Sequence, residues 1–155
     1  MKDTDIEHTI LDCLTKVSQS FLNDDMKIEV IDTNSIEKYD IINYYLGTVK
    51  FTKEDTTIIC VVSMDKPLFD TIFKVFFPEE ISQEEYDELA LALPDEIINT
   101  VAGLSISEFP KEYEDLEMSV PLSFKKSALK ILKQNGRFIS KEIKTTKGSF
   151  VCTVI

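Results

Sequence analysis

Residues 82–103 read Ser82-Gln83-Glu84-Glu85-Tyr86-Asp87-Glu88-Leu89-Ala90-Leu91-Ala92-Leu93-Pro94-Asp95-Glu96-Ile97-Ile98-Asn99-Thr100-Val101-Ala102-Gly103. Ser82 and Glu85 have the spacing of a capping box, and Ile81 with Tyr86 that of a hydrophobic staple. The stripe Tyr86, Leu89, Ala90, Leu93, Ile97, Val101, Leu104 recurs at three and four residues, so a long amphipathic helix starts here. Gly103 or the Glu108-Phe109-Pro110 segment is expected to end it. Pro94 removes one helical hydrogen bond at a cost of ~3 kcal/mol, which predicts a kink or a break at that point. If the helix breaks, Pro94-Asp95-Glu96 forms a fresh first turn, where acids suit the helix dipole.

A second amphipathic helix is read upstream. From Asp5 to Leu22, Ile6, Ile10, Leu14, Val17 and Phe21 repeat with helical spacing, with Thr4 or Asp5 as cap and Asn23-Asp24-Asp25 as terminator. Between the two helices lie three β-rich runs, Lys27 to Thr33, Tyr44 to Thr52 and Thr56 to Ser63. Lys53-Glu54-Asp55 joins the last two as a hairpin, and the run from Thr57 to Val62 is apolar enough for a central strand. Lys66-Pro67-Leu68 opens a short helix capped by Asp65 and stopped by Pro78. Beyond the long helix, Leu116 to Phe124 is a strand interrupted by Pro121, and Ser127 to Lys133 a further helical turn or two. Gly136 to Lys144 and Ser149 to Ile155 form a terminal hairpin across Thr145-Thr146-Lys147-Gly148.

The order helix, strand, hairpin therefore occurs twice. Two long helices, each with one apolar stripe, are best buried on one face of an antiparallel sheet, which makes the fold class α+β. The other face then needs a partner or a polar coat. Tyr44 and Tyr45 are read as filling a sheet face. No Gly/Ser/Pro-rich linker divides the 155 residues, so 1–155 reads as a single domain.

Composition removes several function classes. The net charge of -11 argues against a nucleic-acid partner, which needs concentrated Lys and Arg. The charge is uneven: residues 1–120 hold 27 acids and 9 bases, and residues 121–155 hold 8 bases and the single acid Glu142. Without a Gly-rich phosphate loop, the basic end reads as balancing an acidic body. Cys13, Cys60 and Cys152 are far apart and odd in number, as expected of reduced, buried thiols. His8 is the only histidine and reads as a surface residue, so neither Cys–His catalysis nor a zinc site is expected. The polar start MKDTDIEHT is no signal peptide, and apolar runs of about six to eight residues are too short for a membrane span. A cytoplasmic protein with no membrane association is expected. Exposed acids such as Glu79, Glu80, Glu84, Glu112 and Asp115 read as a solvated surface.

At about 100° per residue, Glu96 and Asn99 fall together on the helix face away from Leu93, Ile97 and Val101. Ala92 and Gly103 share that face and are too small to obstruct a docking protein, and Asp95 completes it. A carboxamide accepts and donates at once, so it can hold a water in line with a phosphorus atom. A glutamine does this in some nucleotide hydrolases. A carboxylate one turn away can grip a lysine on a partner.

The run Asp87-Glu88-Leu89-Ala90-Leu91, then Glu96-x-x-Asn99, then Thr100-x-Ala102-Gly103, closely resembles the signature helix of the CheC/CheX/FliY phosphatase family. Pro121, 22 positions after Asn99, lies about where that family places a proline. The resemblance implies two α-β-β-β units forming one antiparallel sheet with two long helices on one face. It implies a chemotaxis phosphatase acting on the aspartyl-phosphate of a CheY-like response regulator. Asn99 would position the attacking water and Glu96 would pair with the regulator's lysine, with Ala92, Asp95 and Gly103 on the docking face. Mg²⁺ would sit in the phosphorylated partner, leaving no metal or cofactor in this chain. The first helix has no Glu-x-x-Asn, so a single site places the chain nearer the CheX branch, whose members are commonly homodimers. Two departures stand against full activity: Ala92, where the family has Ser or Asp, and Pro94 inside the helix. They leave open a non-catalytic module that binds a response regulator or signalling partner, and a structural domain without such a partner.

Overall fold

The computed structural model describes residues 3–37, 45–122 and 138–155. Helix α1 spans Asp3–Ser20 and passes into a π-helical turn, Phe21–Asp25. Three strands follow, β1 (Val30–Ile36), β2 (Tyr45–Lys53) and β3 (Thr56–Met64). Then come α2 (Lys66–Phe76) and α3 (Gln83–Ser105). The short strand β4 (Glu117–Met118) and the hairpin β5 (Ile139–Thr145) and β6 (Gly148–Val154) complete the chain.

All six strands form one sheet in the order β1-β5-β6-β3-β2-β4, and every pairing is antiparallel. Exchanging β1, β2, β3 for β4, β5, β6 maps this order onto its own reverse. The two halves are thus related by a pseudo-two-fold between β3 and β6, with α1 and α3 as equivalent helices. The repeated order of elements has this geometric basis. The apolar β3 is central, as its run of Ile and Val requires.

Both long helices lie on one face. Helix α1 packs on β5 and β6, α3 packs on β2 and β3, and the helices touch each other. Ile10 and Leu14 of α1 and Phe21 of the π-helical turn join Val49, Cys60, Val62, Phe150 and Cys152 of the sheet in one core. Helix α2 joins this face, with Phe69 stacked on Tyr45 at 4.0 Å between ring centroids. The opposite face is buried at its centre too, through Thr48, Val61, Ser63, Ser140, Val151 and Thr153. Its polar members are small hydroxyls, and Ser140 and Thr153 bond to each other at 2.7 Å.

Several local expectations shift. Helix α1 already includes Thr4 and Asp5, so neither is its cap. The first strand runs three residues later than read from the sequence. Lys27 has φ 57° and breaks its start, and the register shifts between Val30 and Asp32. The β2–β3 turn tightens to Glu54-Asp55, with Glu54 at φ 52°. Helix α2 begins as read, with Asp65 accepting from the Leu68 N–H at 3.1 Å and Pro67 in the first turn. The helical turn expected over Ser127 to Lys133, and Tyr44, lie outside the described residues.

Candidate active-site face of helix α3

The Ser82 Oγ accepts the Glu85 N–H at 3.2 Å, which closes the first half of the capping box and fixes where α3 starts. The helix then runs unbroken through Pro94 to Ser105 and continues as a 3₁₀ turn, Ile106–Glu108. Neither the break at Pro94 nor an end at Gly103 occurs. Pro94 is buried and its carbonyl lies against Gly47 of β2, where the strand has no side chain. Close packing there compensates the missing hydrogen bond. By length and mean hydropathy alone, Gln83–Glu108 would be enough to cross a bilayer. Its apolar side instead packs on the sheet.

The buried arc is Leu93, Pro94, Ile97, Ile98, Val101 and Ala102. Leu104, assigned to the stripe from the sequence, is 53% exposed. Ile98 and Ala102 are buried in its place, so the helix is rotated towards β2. The opposite arc carries Ala92, Glu96 and Asn99, all exposed, with Asp95 and Gly103 half-buried. All five residues singled out in the sequence therefore share one outward face. Among the described residues, Glu96 and Asn99 have no hydrogen-bonding or ionic partner, and both side chains face outwards. Burial raises the Asp95 carboxyl above its ordinary value. No base occurs anywhere in α3.

One wall of this face comes from β4 and the residues after it. Met118 pairs with Phe51, and its Cε lies 3.8 Å from where a Gly103 Cβ would be. Ser119 and Leu122 donate their N–H groups to the carbonyls of Lys50 and Thr48, at 2.9 and 2.7 Å. The pairing thus continues beyond β4, with Val120 and Pro121 looped out. Pro121 sits where an edge strand tolerates a missing N–H. Sequence reading found Pro121 but not Val120, because an isolated valine in a turn carries no periodic signal.

No family model and no curated protein matches this sequence. Solved structures do match over nearly the whole chain. CheX from Vibrio vulnificus superposes with a TM-score of 0.67 at 14% identity, over 94% of this chain and 97% of that one. The fold is that of CheX. A CheC-like superfamily protein from Shewanella shares it, with a TM-score of 0.63 at 17% identity, over 99% of this chain and 97% of that one. So does CheX from Borrelia burgdorferi, solved as a CheX–CheY–BeF₃–Mg²⁺ complex, with a TM-score of 0.65 at 16% identity over 95% and 94%. The resemblance drawn from residues 82–103 thus holds at the level of the fold.

Other groups on this CheX-fold chain read differently. Cys60 and Cys152 are buried in the sheet and unpaired, and Cys13 is half-buried with its thiol donating to the Glu108 carbonyl at 3.5 Å. Burial raises all three thiols. His8 is exposed. A cleft of about 750 Å³ between α2 and the start of α3 is walled by Tyr45, Phe73, Phe77 and Tyr86. Three of its polar groups bond one another: Lys66 bonds Asp70 at 2.7 Å, and the Tyr86 hydroxyl donates to Asp70 at 3.2 Å.

Proposed function

We propose that this chain is a phosphatase for the aspartyl-phosphate of a CheY-like response regulator, acting in the cytoplasm in chemotaxis or two-component signalling. The carrying observation is the placement of Glu96 and Asn99, exposed on one face of the long α3 of a CheX fold and without a partner among the described residues. The CheX–CheY complex of a structural relative supports the choice of partner, its BeF₃ standing in for a phosphoryl group.

In this reading, Asn99 accepts a hydrogen bond from a water and holds its oxygen in line with the phosphorus. The water oxygen forms the new P–O bond while the acyl P–O bond breaks. Inorganic phosphate leaves, and the regulator recovers its carboxylate. Orientation is the main contribution, since a carboxamide is no base. Glu96 draws the regulator's lysine onto α3 and so fixes the docking angle. Ala92 and Gly103 leave the approach open, and Mg²⁺ belongs to the regulator. A homodimer is the proposed assembly.

The test is phosphate release from host CheY-like proteins charged with a small phosphodonor and Mg²⁺. Acceleration by the wild type that is lost in Asn99→Ala and Glu96→Ala is expected. If both variants match the wild type, the assigned pair is wrong. Ala92 and the buried Pro94 favour one second reading, a module that binds the regulator without turnover. Binding without acceleration for every regulator would select it.

A further inference from the structure

Two large exposed apolar side chains flank the site, Val120 at 77% exposure beyond β4 and Leu91 at 81% on the β2 side of α3, beside Tyr45 and Leu46. Isolated exposed hydrophobics are ordinary on any surface. These two differ in placement. Leu91 lies one turn before Asp95 on α3. Helix α3 runs along β2, with Pro94 and Ile98 over Gly47 at one end and Gly103 beside Met118 at the other. Val120, between Met118 and Leu122 on the strand flanking β2, therefore falls alongside the Asp95–Asn99 turn.

Hydrogen bonds fix the backbone on both sides of Val120. Ser119 donates its N–H to the Lys50 carbonyl, and its Oγ accepts the Lys50 N–H at 3.0 Å and donates to the Val120 carbonyl at 2.8 Å. Leu122 resumes the pairing at Thr48. Two residues, Val120 and Pro121, therefore oppose the single residue Val49, which is a bulge. Proline restricts the backbone there further. A preset apolar contact costs little ordering on binding.

The charge around it limits the occupant. Glu88, Asp95 and Glu96 share this side of α3 with no compensating base on the helix. These acids complement a partner that brings a cation to α3, as the receiver lysine proposed for Glu96 does. We propose that Val120, held out by the Val120–Pro121 bulge, is the apolar anchor that sets the affinity of this chain for its phosphorylated receiver domain, with Leu91 as the second contact. The identity of that partner rests on the phosphatase reading above.

The test uses the full chain with Val120→Asp, Val120→Ala and Leu91→Asp, alongside Asn99→Ala. It measures kcat and KM on the phosphorylated regulator, Kd for the BeF₃-activated regulator, Tm and oligomeric state. Burying a valine side chain corresponds to about a tenfold change in affinity. Val120→Asp is expected to raise KM and Kd by about that factor or more, with kcat within about twofold and Tm unchanged. Val120→Ala should show a smaller rise of the same kind and serves if the aspartate variant fails to fold. Asn99→Ala should show the opposite split, with kcat lost and Kd kept. Wild-type KM and Kd in both Val120 variants, beside an active wild type, would sink this inference alone. A change of oligomeric state in Val120→Asp would assign the bulge to contacts between copies and also overturn it. A wild type that neither binds nor dephosphorylates any host regulator would remove the functional reading and this one together.

Discussion

Gly47 of β2 lies directly beneath Pro94 of α3, so close that a Cβ on Gly47 would sit 2.7 Å from the Pro94 carbonyl carbon and 2.8 Å from Ile98 Cγ2. The two residues need each other. Pro94 cannot donate to the preceding turn, and only a residue without a side chain lets the strand come near enough to compensate by packing. Glu96 and Asn99 follow Pro94 within two turns. The distance and tilt of the site are therefore set at this contact.

Gly47→Ala should then act on both stability and rate. Overpacking a well-filled core costs about 1–3 kcal/mol, and the atoms met first belong to backbone, which cannot rotate away. Thermal unfolding should show the loss, and the proposed phosphate release, measured on the folded fraction, should fall in kcat, since α3 must shift outwards. A Gly47→Ala variant with unchanged Tm and kcat would show that α3 yields freely and that this contact positions nothing.

Asp65 ties α2 to the last hairpin. Its Oδ1 accepts the Leu68 N–H at 3.1 Å and its Oδ2 accepts the Ser149 N–H at 3.0 Å. Next to it, Gly148 takes φ 147°, and a Cβ there would collide with the same carboxylate. Asp65→Ala removes a helix cap, about 1 kcal/mol, and a second charge-assisted bond of comparable or greater worth. Urea unfolding should show a lower midpoint at an unchanged m-value. An unchanged midpoint would mean that water replaces the carboxylate at both N–H groups without loss.

Much of this architecture is legible in the sequence because its signals are local. Asp65, Pro67, Ser82 and Glu85 mark helix starts whose hydrogen bonds close within three residues. The β-rich runs Tyr44 to Thr52 and Thr56 to Ser63, and the alternating runs Gly136 to Lys144 and Ser149 to Ile155, locate within a few residues the strands that pair as hairpins. The outward grouping of Glu96, Asn99, Ala92, Asp95 and Gly103 follows from helical periodicity, which Pro94 did not interrupt. What escaped depends on long-range contact. Gly47 contributes nothing to its own strand, so its role is invisible until α3 lies on it. Leu104 has the right spacing for the stripe, but the helix rotates towards β2 and buries Ile98 and Ala102 instead. Val120 gains meaning only from the register between Ser119, Leu122 and β2.

Asp95 predicts a pH effect of definite sign. Burial raises its carboxyl above the ordinary 3.8. Between that value and the raised one, the folded state binds more protons than the unfolded state. Stability therefore falls as pH rises through this interval and levels off above it. Asp95→Asn has no charge to desolvate, so it should unfold at a higher temperature than the wild type near neutral pH. The advantage should close as pH drops through the interval to below 3.8. An advantage that persists at acid pH would trace to some other effect of the amide.

The thiols allow stability to be read without a spectroscopic probe. Cys60 and Cys152 are fully buried on the helix side of the sheet, the Cys152 thiol donates to Ser18 Oγ at 3.5 Å, and burial pushes it up to about 11. Cys60 is pushed up further by the same cause. Only the thiolate attacks a disulfide reagent, and neither sulfur is accessible, so both should stay unmodified in the native state at pH 8. Cys13, half-buried on α1, should react first, though slowly, because burial and the carboxylates of Glu108 and Asp12 raise its thiol as well. In denaturant all three should react at once. Between these limits, labelling of Cys60 and Cys152 should follow the population of the opened sheet, and the two should rise together because both belong to one core. Rapid native labelling of Cys152 with Cys60 still protected would show instead that α1 lifts from β6 independently of the rest of the fold.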